Sequence, residues 1–476
     1  LGKSASEKRD LALKLHFDSG LTRIEGIMGD KLVADLRFVE GIFSRGVASF
    51  DRAASVPSDS EMLISVYLPT VDLDSWRPIA TLFGEQPSET QPTWYPVFDM
   101  NFDFLELGAL ELKQIKSETK FIDGQIDLQF FSNLADGKLL IDDTLGDVPK
   151  LTLTRLNMSK DFLAEKVSGQ LLDPRTFPAS DIVLESVAVD EKLWGNISFQ
   201  LRPNSEGAAF KNIEGDIFGL RPGELAEEGE TLFFWGFDDK QYSSRLTGPV
   251  GINNIGDLFE GLEIPTPVDS QSGKLVLDLD WLDQPWNFSK QNIAGNFYVE
   301  LNQGSFYTSP GGASAALKLV SLFNFANWLR RLQLDFSDVV GENLAYNNLQ
   351  GKVEFDEGRA RLLDPLKMQM PSGRMSMAGE FNLLNETADA QLVATLPVAT
   401  NLPWVVALLG GIPAAAGVYV TSKIVEKQVD RLSSISYNLN GPWDDIEVSV
   451  DKIFAAQLDE KPIETPVPVQ SSGNKK

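Results

Sequence analysis

The chain has 476 residues, which at about 150 residues per domain is mass for roughly three domains or one elongated architecture. Its 42 Lys and Arg against 68 Asp and Glu leave a formal charge of −26, which repels phosphate backbones and argues against a nucleic-acid partner. The lack of Cys excludes disulfides, thiolate metal sites and thiol nucleophiles, and a single His, His16, cannot build a multi-His metal centre.

Leu1 is not a Met, and no positively charged n-region with an apolar h-region and cleavage site follows it, so the sequence reads as part of something longer. From Leu11 to Phe17 apolar and polar residues alternate, with His16 on the polar side as a solvated strand residue. Gly84 to Pro96, carrying Pro87 and Pro92, reads as a loop. The next strand puts Phe98, Met100, Phe102 and Phe104 against Asp99, Asn101 and Asp103. Ile126, Leu128 and Phe130 repeat the pattern, with Asp123-Gly124 and Asp136-Gly137 as hairpin turns. Ser159 to Leu171 is a weak helical pattern at a junction. Val183 to Gly219 then reads as three strands, the middle one presenting Ile197, Phe199 and Leu201, before an acidic loop from Arg221 to Glu230.

Asn254 to Leu262 is a short helix candidate. The clearest alternation follows, with Leu275, Leu277, Leu279 and Trp281 on one face and Lys274, Asp278 and Asp280 on the other. Phe297, Val299 and Leu301 form the next strand. Ala313 to Arg331, entered through Ser309-Pro310 and ending on two cations, is the best helix. After the Glu357-Gly358 turn come strands on Leu366, Met368 and Met370, and on Ala390, Leu392, Ala394 and Leu396. A second helix runs from Pro413 to about Leu432. Ile435, Tyr437 and Leu439 give a late strand, and Gln457 to Lys476, with three prolines, reads as a disordered tail.

Two segments could touch a membrane. Leu402 to Ser422 carries no formal charge and would be about 31 Å long as a helix, enough for a bilayer. Pro403 and the Gly410-Gly411-Ile412-Pro413 break point instead to a bent helical hairpin in or on a membrane; a cap against the sheet and a full span stay open. The other helix, with Leu319, Leu322, Phe323, Phe325 and Trp328, leaves little polar surface and must be covered by protein or lipid.

The fold class is mainly β, with mostly antiparallel neighbours. Each strand offers three or four apolar side chains on one face, worth about 1.5–3 kcal/mol apiece when removed from water, and the few helices cannot cover them all. Sheet against sheet would solve this. So would a single curled sheet whose apolar trough holds acyl chains. Periodicity alone leans to the sandwich. Acidic pairs such as Asp142-Asp143, Asp238-Asp239 and Asp444-Asp445 read as turns, no nucleotide, zinc-protease, EF-hand or nucleophile-elbow motif occurs, and no catalytic centre, metal or cofactor is expected.

The run from Leu319 through Trp328, Arg330 and Arg331 to Asp335-Phe336-Ser337-Asp338 resembles a signature of the YhdP family of AsmA-like envelope proteins. Gly295 to Phe306, Leu402-Pro403, the Gly410 to Pro413 break and Gly441-Pro442-Trp443-Asp444-Asp445 resemble the same family, as do, more loosely, Leu68 to Trp76 and Trp194-Gly195-Asn196. Ile446 departs from it, where Pro is common. The resemblance implies a long twisted antiparallel sheet curled into an open hydrophobic groove, of the bridge-like lipid transfer type. It also implies a non-enzymatic role: phospholipids moving between inner and outer membranes, with this chain as the outer-membrane-proximal end of a periplasmic protein anchored by an N-terminal helix. Its expected contacts are phospholipid acyl chains, the outer membrane and envelope proteins. On that reading 1–158 and 159–250 continue one sheet, 251–456 is an AsmA-like module and 457–476 a tail. Groove-lining candidates are Leu275, Leu277, Leu279, Trp281, Phe297, Val299, Leu301, Phe98, Met100, Phe102, Ile197 and Phe199. Membrane or groove-end candidates are Leu319, Leu322, Phe323, Phe325, Trp328, Trp404, Val405, Leu408 and Leu409. The alternative is an envelope assembly factor with a closed sandwich and partner-binding C-terminal helices.

Overall fold

A computed structural model describes residues 11–29, 31–72, 95–107, 110–122, 125–142, 148–159, 172–263, 265–307, 343–371, 373–397, 432–443 and 445–453. The expected helices at 159–171, 313–331 and 413–432, the apolar segment 402–422 and the tail 457–476 lie outside them, wholly or almost wholly. Contacts divide the chain into two compact units, Leu1–Leu172 with Pro178–Leu201, and Asp173–Phe177 with Arg202–Lys476.

The first unit is a serial sheet. Its strands are β1 (Leu11–Asp18), β2 (Leu21–Met28), β3 (Leu32–Val39), β4 (Ile42–Phe50), β5 (Glu61–Asp72), β6 (Tyr95–Leu107), β7 (Leu110–Ile122), β8 (Gln125–Phe131), β9 (Ala135–Asp142), β10 (Lys150–Met158), β11 (Ser180–Val189) and β12 (Lys192–Pro203). Each pairs with the next. Tight turns at Ser19-Gly20, Glu40-Gly41 and Asp190-Glu191 have positive φ at both central positions, the backbone that matches the twist of antiparallel strands.

Three pairs depart from the expected antiparallel order: β4 with β5, β5 with β6, and β10 with β11 are parallel. Parallel neighbours cannot be joined by a tight turn, so the chain must return along the sheet before re-entering it. Between β4 and β5 this return is described. Arg45 donates to Ser58 O at 2.8 Å and Arg52 to Asp99 Oδ1 at 2.7 Å. Both Arg45 and Asp99 belong to the polar side of their strands, so the connection crosses the polar face and leaves the apolar one uncovered by it.

The second unit begins with a 3-10 turn, Pro174–Thr176, capped by Asp173. Its strands are β13 (Gly207–Ile217), β14 (Leu220–Pro222), β15 (Leu232–Asp238), β16 (Gln241–Ile252), β17 (Ser272–Trp281), β18 (Ile293–Tyr307), β19 (Asn343–Asp356), β20 (Arg359–Met370), β21 (Gly373–Asn382), β22 (Thr387–Pro397), β23 (Leu432–Pro442) and β24 (Glu447–Ile453). Successive strands from β15 to β24 are antiparallel, and β13 pairs with β15. The only α-helix among the described residues, α1 (Ile255–Gly261), is capped by the Asn254 side chain, which accepts from Gly256 N. The predicted Asn254 to Leu262 helix is therefore present.

Alternation locates strands well and turns less well. Phe98 to Phe104, Ile126 to Phe130, Leu275 to Trp281 and Phe297 to Leu301 all lie in strands, and Glu357-Gly358 makes its hairpin. Asp136-Gly137 does not. It sits inside β9, where Asp136 is held by Arg155 Nε at 2.7 Å, and the turn falls earlier, where Ser132 Oγ donates to Ala135 O. Pro96 belongs to β6, not to a loop, and Arg221-Pro222 closes β14 before the acidic turn begins.

Gly295 shows what the sheet demands of one residue. Its φ is +101°, and a Cβ there would lie 2.1 Å from Asp278 O on the neighbouring strand. Gly295→Val should therefore cost more than about 2 kcal/mol in denaturant unfolding. Gly41→Ala, at a turn with open space around it, should cost only about 1–2 kcal/mol.

Candidate functional site: a continuous apolar face

Paired residues in a ladder point to the same side, so the registers trace each face from strand to strand. In the first unit one rung runs Ile64–Phe98–Thr119–Leu128–Leu139–Leu151. It continues through Ile182 to Phe199 on β12, and backward through Ala48, Ala34 and Gly26 to Leu13 on β1. The neighbouring rung joins Val66, Met100, Ser117, Phe130 and Gly137, then Leu153, Leu184 and Ile197. No residue on either rung is charged. Phe98, Met100, Phe102, Ile197 and Phe199, from strands distant in sequence, thus share one face.

The opposite face carries the charge. Arg23 Nε and Nη2 grip Asp35 at 3.0 and 2.8 Å, Lys138 Nζ meets Asp127 at 2.8 Å, and Arg155 bridges to Asp136. The guanidinium of Arg155 holds the Asp136 carboxyl below its ordinary range, burial opposing it. His16 lies on this face, in β1 and 3.6 Å from Glu25.

In the second unit a rung begins Phe210–Phe233–Leu246–Leu279–Gly295–Phe355 and ends Ala360–Phe381–Ala388–Gly441. Beside it run Val250–Leu275–Val299 and Gly248–Leu277–Phe297–Val353. Leu301 continues through Leu349, Met368 and Met375 to Ala394. Trp281 pairs with Ser244 and Ile293, donating Nε1–H to Gln284 O at 3.0 Å. All seven predicted positions of β17 and β18 therefore lie on one face. Arg245–Asp278 and Lys274–Glu228 occupy the other.

Burial changes along that face. Phe210, Phe233, Leu246, Leu275, Leu277, Leu279, Phe297 and Val299 are only half-buried. From β19 onward Ala360, Met368, Met377, Phe381, Leu392 and Leu439 are wholly enclosed in one core cluster. In the first unit the apolar face stays mostly half-buried, and on edge strand β1 Leu11, Leu13, Leu15 and Phe17 are exposed. Leu319, Leu322, Phe323, Phe325, Trp328, Trp404, Val405, Leu408 and Leu409 lie outside the described residues. No described helix is long and apolar enough to cross a membrane. Sequence reasoning missed Ser117 and Thr119, two buried hydroxyl residues set among the apolar ones on β7, because their alternation with Lys116 and Glu118 carries no hydrophobic signal.

The YhdP protein family matches residues 1–448. The intermembrane phospholipid transporter YhdP of Escherichia coli (strain K12) is 22% identical over 245 residues, 50% of this chain and 19% of that protein, so the chain spans about a fifth of its relative's length. No solved structure matches.

Two substitutions, one in each unit, test what burial is worth. Leu392 is 0% exposed and Leu13 61%. Leu392→Ala should cost about 2–5 kcal/mol in denaturant unfolding, and Leu13→Ala under about 0.5 kcal/mol. Tyr437, on the enclosed part of the face opposite Leu392, has no hydrogen-bond partner for its hydroxyl among the described residues, and burial pushes that hydroxyl up to about 12. Because the folded value is raised, its stability contribution is complete below the ordinary tyrosine value of about 10 and is lost as pH climbs through the raised one. Tyr437→Phe should be neutral or stabilising at pH 7 and should flatten the loss of stability over that alkaline window.

The match over residues 1–448 places the chain in the YhdP protein family.

Proposed function

We propose that the apolar face carries phospholipid acyl chains between the inner and outer membranes, without any covalent step, and that this chain lies toward the outer-membrane end of that path. The observation that carries the reading is the half-buried stretch of uncharged rungs in each unit. A strand face of large apolar side chains left half-wet costs on the order of 5 kcal/mol per strand, and an acyl chain laid across it would remove that cost. Tails then exchange one apolar surrounding for another, so movement needs no bond broken. The relative's phospholipid transport supplies the cargo class. The charged face stays in periplasmic water, and outer membrane and envelope proteins would be the partners. Leu275, Leu277, Leu279, Phe297 and Val299, with Phe98, Met100, Phe102, Ile197 and Phe199, line the path; Trp281 and Leu301 support it from more buried positions.

A charge in the path should obstruct it. Leu277→Asp and Val299→Asp, in protein that keeps its strand circular dichroism, should lose lipid from organic extracts and lose transfer between vesicles. Lipid loading equal to the unaltered protein would remove this lining from the account, and an unaltered protein free of lipid would favour a closed assembly factor.

A further inference from the structure

Beyond the apolar face, the described residues of the second unit form a polar cavity that the transport reading does not use. It holds about 380 Å³, within the ~300–1,000 Å³ typical of small-molecule sites. It lies where β18 and β19 run past the segment before β17, beside the cap of α1. Asn254, Asp269, Gln303, Gly304, Tyr346 and Asn347 are among the residues of its wall.

The wall is built and not incidental. Asp269 Oδ1 accepts from Ser305 N at 2.6 Å and its Oδ2 from the Tyr307 hydroxyl, while Tyr346 donates its hydroxyl to Asp269 O. Asn254 Oδ1 accepts from both Gly256 N at 2.8 Å and Ser270 N at 3.3 Å. Gly304 lets the Asp269 backbone and the Tyr346 ring pack directly against β18, since a Cβ there would lie 2.1 Å from Asp269 O and 2.5 Å from the Tyr346 hydroxyl. The hydrogen bond to Asp269 raises the Tyr307 hydroxyl, which therefore stays a donor and keeps the carboxylate oriented.

Two features select the ligand. The lining contains one carboxylate and no Lys or Arg, so it repels a bare phosphate and suits a cation. The remaining side chains are amides and hydroxyls, whose oxygens can accept from the N–H groups of a small ammonium. The cavity also adjoins the apolar core: Tyr346 belongs both to its wall and to the cluster containing Leu301 and Leu349.

We infer that this cavity binds a primary ammonium of the ethanolamine type, held by Asp269, and that when the ammonium belongs to a phospholipid it seats the headgroup while the tails lie on the apolar face. The headgroup half rests on the transport reading; the ammonium half does not. A charge-assisted hydrogen bond of about 1.5–3 kcal/mol corresponds to about tenfold or more in affinity.

The test is calorimetric binding of three soluble probes to the whole chain: dihexanoyl phosphatidylethanolamine, dihexanoyl phosphatidylglycerol and glycerophosphoethanolamine. The ethanolamine lipid should bind about tenfold tighter than the glycerol lipid, and Asp269→Asn should erase the difference. Asn347→Phe, at an exposed position that fills the cavity without touching the Asp269 hydrogen bonds, should do the same if Asp269→Asn fails to fold. Leu277→Asp should weaken both lipids and leave glycerophosphoethanolamine unaffected. Binding of glycerophosphoethanolamine that depends on Asp269, without lipid binding, would support the ammonium site and assign it to a free amine. Equal binding of both lipids, unchanged by Asp269→Asn and Asn347→Phe, would overturn the inference while leaving transport intact. No binding of any probe would overturn it as well.

Discussion

The period of two along a strand, combined with unbroken pairing, is the constraint from which the rest of each unit follows. Once Leu128 faces Leu139 and Thr119, every apolar residue at even spacing on those strands is committed to the same side. Each added strand extends the apolar face and the charged face together. A slip of one residue anywhere would put Asp127 and Lys138 among Phe98, Phe121 and Leu151, which the desolvation cost of a charge forbids. Register, charge segregation and apolar continuity are therefore one property seen three ways.

The described return between β4 and β5 respects that property. Parallel neighbours force a return across the sheet, and the one between β4 and β5 takes the polar side, where Arg45 donates to its Ser58 O and its own Arg52 donates to Asp99. A return over the apolar side would have to bury backbone carbonyls and N–H groups without partners. In the second unit its own apolar face closes into a core from β19 onward, where Met368, Met377 and Phe381 are enclosed. The protein thus uses one alternating pattern for two ends, stability where the face is shut and an apolar surface where it is not.

Much of this was legible in the sequence. The alternation at Phe98, Leu275 and Phe297 marks strands because nothing else explains apolar residues at every second position, and Asn254 before an apolar run marks a helix start. What sequence could not give was partnership. Leu13 and Phe199 lie on one rung, a relation that exists only through the intervening registers. Asp136-Gly137 looks like a hairpin turn, but Gly137 is needed in β9 because a Cβ there would lie 2.5 Å from Thr152 O. The parallel pairs left no local mark, since a strand reads the same whichever way its neighbour runs. The polar cavity was invisible for a similar reason: Asn254, Asp269, Gln303 and Asn347 are ordinary polar residues until pairing brings them to one place.

The central claim is that lipid lies against one face of these strands and not the other. Photocrosslinking residues placed singly at Leu128, Gln129, Leu151 and Thr152, in protein exposed to phospholipid, test it most directly. Leu128 and Leu151 share the apolar rung, while Gln129 and Thr152 share the other face. The account predicts lipid adducts at the two leucines and none at their neighbours. Adducts at all four positions, or only at Gln129 and Thr152, would contradict it.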